Sequence, residues 1–122
     1  MADTIADLLH ANLLEVFNER DDAARQAAGA RIYAEDIVWT DDDGVSRGRA
    51  ALDARAVALQ AKLGDLQFVA DGPAYQTLGA GVLAFHLVAP GSDEPVVSGL
   101  DVAIVRSDVI VELYTVLTKP PG

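Results

Sequence analysis

The chain reads as an α+β domain, because segments with a helical apolar period come first, segments rich in β-branched residues follow, and the links between the latter are short. Apolar residues that recur every three or four positions mark a helix with one buried face. Runs of Val, Ile and aromatic residues bounded by Gly, Pro, Asn or Asp mark strands. Links of a few residues cannot carry a parallel crossover, so the strands are expected to form an antiparallel sheet with the helices on one face. A chain of 122 residues, 51% hydrophobic, has the size of a single domain over residues 1–122, with one core and a modest pocket.

The helices come in order. Thr4 and Asp7 have the spacing of a capping box, and Ile5, Leu8, Leu9, Leu13, Val16 and Phe17 then follow at helical intervals, predicting a helix over residues 5–18. His10 and Asn12 sit at the edge of that stripe and read as structural residues with local partners. Asp21 or Asp22 can cap a second, Ala-rich helix that runs to about Ala30, since acids at its first turn suit the positive end of the helix dipole. After a connection at Tyr33-Ala34-Glu35-Asp36, residues 37–40 form a short strand with Ile37, Trp39 and Asp41 on one side. Asp42-Asp43-Gly44-Val45-Ser46 reads as a solvated turn. Gly48-Arg49-Ala50 opens a third helix with Leu52, Ala56, Leu59 and Leu63 as its stripe and Gly64 as its C-terminal cap.

Strands are predicted over residues 66–69, 74–78 and 81–88, with turns at Asp71-Gly72-Pro73 and Ala89-Pro90-Gly91-Ser92. The last two, residues 96–106 and 109–117, are separated only by Ser107-Asp108 and form a hairpin. Alternation puts Gly99, Asp101, Ala103 and Val105 on one face and Leu100, Val102 and Ile104 on the other. Neither face is polar, so Asp101 is expected to be buried. A carboxylate there is costly unless it is hydrogen-bonded, paired or protonated, which makes Asp101 the leading functional candidate.

Composition excludes several functions. With 9 Lys+Arg against 19 Asp+Glu, a net charge of −10, and no cluster of basic residues, the chain lacks the surface that nucleic acid or anionic membranes require. Without cysteine there can be no disulfide, thiolate metal site or Cys nucleophile. Two distant His residues do not make a zinc site, and Asp-Asp-Asp-Gly lacks the spaced oxygens of a calcium loop. Met-Ala-Asp-Thr shows no leader-like pattern, and no window approaches the roughly 20 apolar residues of a membrane span, so a cytoplasmic location is expected.

Four stretches together resemble the SnoaL-like branch of the nuclear-transport-factor-2-like superfamily, over nearly the whole chain. They are Phe17-Asn18-Glu19-Arg20-Asp21, Tyr33-Ala34-Glu35-Asp36-Ile37-Val38-Trp39-Thr40-Asp41, Ser46-Arg47-Gly48-Arg49-Ala50-Ala51-Leu52 and Gly99-Leu100-Asp101-Val102-Ala103. The resemblance implies a cone-shaped fold in which three N-terminal helices pack on a strongly curved antiparallel sheet that encloses a pocket. Ketosteroid isomerases, polyketide cyclases, limonene-epoxide hydrolases and non-catalytic binding or assembly domains share that fold. It also implies that Asp101 stands where the isomerases keep a protonated aspartate in an oxyanion hole and the epoxide hydrolases an acid/base group. Asp41 then lies near the isomerase general base, and His86 takes the place of a cyclase pocket histidine if Val82, Ala84 and His86 face inward. Two positions depart from the pattern. The isomerase oxyanion-hole tyrosine falls near Leu13, which argues against steroid isomerisation of the standard type, and the arginine that epoxide hydrolases place two residues before the strand aspartate is Gly99 here.

The reading that results is a pocket protein for a small apolar molecule, leaning towards an enzyme of proton transfer: isomerisation, aldol-type cyclisation or epoxide opening, with neither cofactor nor metal. Asp101, Asp41 and His86 are the candidate catalytic residues. Two carboxyls in unlike environments can divide the work, the buried one donating a proton and the wetter one accepting it. Tyr33, Trp39, Phe85, Leu113, Thr115 and Leu117 are the candidate substrate contacts. The alternative is a non-catalytic ligand-binding or dimerisation module, with Asp101 paired to Arg106 or Arg47 in a filled core. A homodimer is expected, since Leu100, Val102, Ile104, Tyr114 and Val116 make an apolar row on the sheet face opposite Asp101.

Overall fold

The computed structural model describes residues 4–119. The start at Met1-Ala2-Asp3, on which the leader reading rests, and the Pro120-Pro121-Gly122 end lie outside the described residues. Helix α1 (Ile5–Ala11) begins with the expected capping box: Asp7 N–H donates to Thr4 Oγ1 at 3.1 Å and Thr4 N–H to Asp7 Oδ2 at 3.0 Å. It runs on as a π-helical segment (Asn12–Phe17), in which the wider turn is closed by Asn18 N–H donating to Leu13 O at 3.1 Å. Asp21 caps α2 (Asp22–Ile32) by accepting from Ala24 N–H, and α3 (Arg49–Leu63) stops at Gly64, where φ is +62°. No helix among the described residues is long and apolar enough to cross a membrane.

Seven strands form one sheet: β1 (Tyr33–Asp41), β2 (Gly44–Arg47), β3 (Gln67–Ala70), β4 (Tyr75–Thr77), β5 (Ala80–Val88), β6 (Val97–Arg106) and β7 (Val109–Lys119). The order is β2-β1-β7-β6-β5-β3, with β4 also pairing with β5. Three helices on such a sheet are the predicted α+β architecture. The sheet is mixed rather than wholly antiparallel, because β1 lies parallel to β7. The hairpin argument constrains only strands adjacent in sequence, and the whole chain between β1 and β7 serves as the crossover. Two further differences are local. The Tyr33–Asp36 connection is the start of β1, with a register shift between Tyr33 and Val38, and the supposed solvated turn contains β2, paired through Trp39↔Ser46.

The core lies between the helices and the inner sheet face, where Leu8, Leu9, Leu13, Ile32, Ile37, Leu52, Leu83 and Leu113 are buried. On β6 the inner face carries Gly99, Asp101 and Ala103, as alternation requires, and Leu100, Val102 and Ile104 are half-buried on the outer face. Tyr114 and Val116 continue the outer row, 38% and 50% exposed. Gly81 lets α1 approach this closely, since a Cβ there would lie 2.5 Å from Ile5 Cγ2 and 3.0 Å from Leu9 Cδ1. That approach sets Asn12, one residue beyond α1, against Asp101 of β6.

Candidate functional site

A cavity of about 530 Å³ opens between the π-helical segment, α3 and the inner face of the sheet. Leu13, Phe17, Leu59, Leu63, Phe68, Phe85 and Leu117 are among the apolar residues of its wall. The aromatic rings meet edge to face in sequence, Trp39 with Phe17 at 5.0 Å, Phe17 with Phe68 at 6.0 Å and Phe68 with Phe85 at 5.5 Å between centroids. Gly99 makes room for this wall. A Cβ at that position would stand 2.6 Å from Phe85 Cζ and 2.8 Å from Val116 O, so a longer side chain cannot occupy it without moving the ring.

Asp101 lies at the inner end of the cavity, 4% exposed. Thr115 Oγ1 donates to its Oδ1 at 2.8 Å, and Asn12 Nδ2 donates to its Oδ2 at 3.2 Å. Each donor is itself held from behind: Trp39 Nε1 donates to Thr115 Oγ1 at 3.1 Å, and the Tyr33 hydroxyl donates to Asn12 Oδ1. Cross-strand register aligns the set, as Asp101 faces Thr115 on β7 and Trp39 faces Leu113 on the same strand. No salt bridge reaches Asp101 among the described residues, and Arg47 and Arg106 are exposed. Burial pushes the Asp101 carboxyl up from 3.8 to about 7, against the two hydrogen bonds, which pull it down. Burial, then the charge of Asp101, holds the Tyr33 hydroxyl well above its ordinary value, so it remains a donor.

Asp41 stands at the cavity rim with Asp42, Asp43 and Lys62, its side chain 14% exposed. Its Oδ1 accepts from Arg55 Nη2 at 2.6 Å and from the N–H groups of Asp43 and Gly44 at 2.9 and 3.1 Å, and its Oδ2 takes no hydrogen bond among the described residues. Arg55 also lies over the Trp39 ring, 4.2 Å from its centroid, and donates to Ser46 Oγ. Rim and inner end are thus tied together through Trp39. Carboxylate oxygens of Asp41, Asp42 and Asp43 come within 4.8 Å of one another, the one grouping among the described residues that could hold a metal ion.

Of the candidates chosen from sequence, Asp101, Asp41, Trp39, Phe85, Thr115 and Leu117 meet at this cavity. Three do not. His86 shares the outer face of β5 with Val82 and Ala84, because Gly81, Leu83, Phe85 and Leu87 are the buried alternates. There its Nδ1 meets Ser98 Oγ at 2.7 Å and its Nε2 meets Asp71 Oδ2 at 3.2 Å. Tyr33 lies behind the site and reaches it only through Asn12, and Leu113 is fully buried core. Two residues of the site escaped the sequence reading. Asn12 reads as a structural residue with local partners, yet it is fully buried and bonds across the fold to Asp101; its position at the edge of an apolar stripe is the available signal. Arg55 gave no signal, since its contacts depend on the β1–β2 turn folding back over α3.

No family model matches the chain, and no curated protein matches its sequence. Solved structures do match in fold. A provisionally assigned isomerase of the SnoaL-like family from Agrobacterium tumefaciens superposes with a TM-score of 0.83 at 21% identity, over 90% of this chain and 93% of its own. A provisionally assigned SnoaL-like polyketide cyclase from a Jannaschia species gives 0.75 at 8% identity, over 97% and 91%. A protein of ketosteroid-isomerase-like fold from Catenulispora acidiphila, solved with trimethylamine, gives 0.70 at 14% identity, over 92% and 85%. At these identities the likeness is one of architecture, and with a mixed sheet, three helices and a cavity at their junction the chain has the fold of the SnoaL-like, ketosteroid-isomerase-like and NTF2-like proteins.

Proposed function

We propose that this protein binds a small, largely apolar molecule with an acceptor oxygen and catalyses a cofactor-independent proton shift on it. The observation that carries this reading is a buried carboxyl, without a cationic partner among the described residues, at the inner end of an apolar cavity. A carboxyl kept neutral by its surroundings can supply a hydrogen bond to an oxygen that gains negative charge, as acid/base chemistry near neutral pH requires. In the proposed step the rim carboxylate of Asp41 takes a proton from the carbon beside a carbonyl. The C–H electron pair moves into the carbon–carbon bond, and the carbonyl pair moves onto oxygen. The resulting enolate is stabilised from the inner end, and the proton returns to the same or a neighbouring carbon. The isomerase and cyclase assignments of the structural neighbours are of this chemical kind.

Exchange of hydrogen for deuterium beside the carbonyl of aryl ketones in D2O, followed by proton NMR, tests the reading. Wild-type protein should accelerate exchange and Asp41→Asn should not. Binding without exchange would favour a non-catalytic binding module, a reading supported by the way Arg55 and the β1–β2 turn engage Asp41. We also propose that the apolar outer row of β6 and β7 is covered by a second copy of the chain.

A further inference from the structure

We propose that the group that touches the ligand oxygen is the Thr115 hydroxyl, and that Asp101 acts through it: the ionised carboxylate draws the Thr115 proton inward, and the neutral acid releases it to the cavity. The inference rests on the cavity being the ligand site and names the class of group recognised there, a ketone or enolate oxygen.

The hydrogen bonds leave little choice of arrangement. A threonine hydroxyl has one proton to donate and two positions at which to accept. One acceptor position is taken by Trp39 Nε1, a group that only donates, at 3.1 Å. The proton goes to Asp101 Oδ1, 2.8 Å away, while that carboxylate is ionised. On the other side, the Tyr33 hydroxyl donates to Asn12 Oδ1, and the Asn12 amide presents its Nδ2 to Asp101 Oδ2. A proton on Oδ2 would confront that N–H, so the proton of neutral Asp101 belongs on Oδ1, facing Thr115. Thr115 then accepts from both Trp39 and Asp101, and its own proton must turn elsewhere. Thr115 is half-buried and lines the cavity, whereas Asp101 is nearly closed off, so the hydroxyl turns towards a ligand.

The charged and titratable groups around this switch are few. Tyr33 of β1 stands behind Asn12; Asp41, Asp42 and Asp43 of the β1–β2 turn and Lys62 of α3 line the cavity, with Arg55 paired to Asp41. Neighbouring β5 presents Leu83 opposite Asp101 and adds no charge. Protonation of Asp101, with the carboxyl raised to about 7, therefore governs the donor in the neutral range.

Calorimetric titration with two compounds of one shape tests the inference, 2-acetylnaphthalene with an acceptor oxygen and 2-isopropylnaphthalene without. The wild-type protein should bind the ketone roughly fivefold more weakly at pH 8.5 than at pH 5.5, the size of one net hydrogen bond, and bind the hydrocarbon equally at both. Asp101→Asn should hold the ketone at its low-pH affinity throughout, because the amide accepts from Asn12 and donates permanently to Thr115. Thr115→Val should bind the ketone no better than the hydrocarbon, and Thr115→Ser should restore both preference and pH dependence. A pH-dependent ketone preference that survives in Thr115→Val would overturn the inference, showing Asp101 to donate directly. Loss of the preference in Asp101→Asn would overturn it as well. Failure of the wild-type protein to bind either compound would instead remove the cavity reading beneath it, and the inference with it.

Discussion

Replacing Asp101 with asparagine should stabilise the protein at neutral and alkaline pH. In the folded state the carboxyl titrates at about 7, against 3.8 for an ordinary aspartate. Between those values the folded protein holds a proton that the unfolded chain has released, so stability falls as pH rises through this range and levels off above the folded value. About three pH units at 1.36 kcal/mol each come to ~4 kcal/mol, or roughly 10–20 °C in melting temperature for a chain of this length. Asparagine keeps the shape, accepts from Asn12 Nδ2 and donates to Thr115, and it cannot ionise. Thermal unfolding of both proteins by circular dichroism, from pH 4 to pH 8.5, isolates the effect, since every other titrating group is common to the two and cancels in the difference. The melting temperatures should nearly coincide at pH 4 and diverge above pH 5 in favour of the variant. A difference that does not change with pH would show that Asp101 is ionised across the whole range. A variant less stable at every pH would show that the carboxylate is held by contacts the amide cannot reproduce.

Three further outcomes follow from other parts of the structure. Gly99→Ala should cost about 1–3 kcal/mol in urea unfolding and weaken ketone binding, because its Cβ would meet Phe85 Cζ at 2.6 Å and Val116 O at 2.8 Å; a neutral result would mean that the aromatic wall yields freely. Trp39, the only tryptophan and 2% exposed, should emit well to the blue of a solvated indole and respond to aromatic ketones; emission like that of free indole would contradict the facing assigned to β1. Light scattering at micromolar concentration should give twice the mass of one chain, and Ile104→Asp should yield monomers or aggregate. A single-chain mass for the wild type would refute the dimer, whose basis is the outer row that ends in Tyr114 and Val116.

The parts of this fold that could be read from sequence are those governed by local chemistry. Thr4 with Asp7, Asp21 and Gly64 act within one helical turn, and each delimits its helix as its side chain or backbone freedom requires. Ser107 and Asp108, with φ of +53° and +67°, close the β6–β7 hairpin in two residues as the spacing suggested. Alternation sorted Asp101 from Leu100 because β6 is regular there. It gave no direction for β5, where both faces are rich in small and apolar residues, so a pocket role for His86 rested on the resemblance and on the condition that it faces inward, which the structure does not meet. The parallel β1–β7 pairing and the Asn12–Asp101 bond join residues about 70 to 90 positions apart, as in Trp39 with Thr115 and Asn12 with Asp101, and nothing local encodes them. Gly99 looked like the loss of a functional arginine. In the structure it is the space into which Phe85 packs, and Phe85 in turn lines the cavity.

The polar set around Asp101 is better ordered than stability alone would require. Four side chains from the π-helical segment, β1 and β7 form two branches, Tyr33 to Asn12 and Trp39 to Thr115, and both end as donors at the same carboxyl. Among the described residues no buried side-chain polar atom lacks a partner, so nothing in the core obliges position 101 to carry a charge. An asparagine would satisfy both branches without the desolvation cost of a carboxylate at neutral pH. It would also leave the Thr115 hydroxyl turned permanently to the cavity. Only a group that gains and loses a proton there can present that donor to a ligand oxygen and then withdraw it, and this accounts for an aspartate where an amide would make the more stable protein.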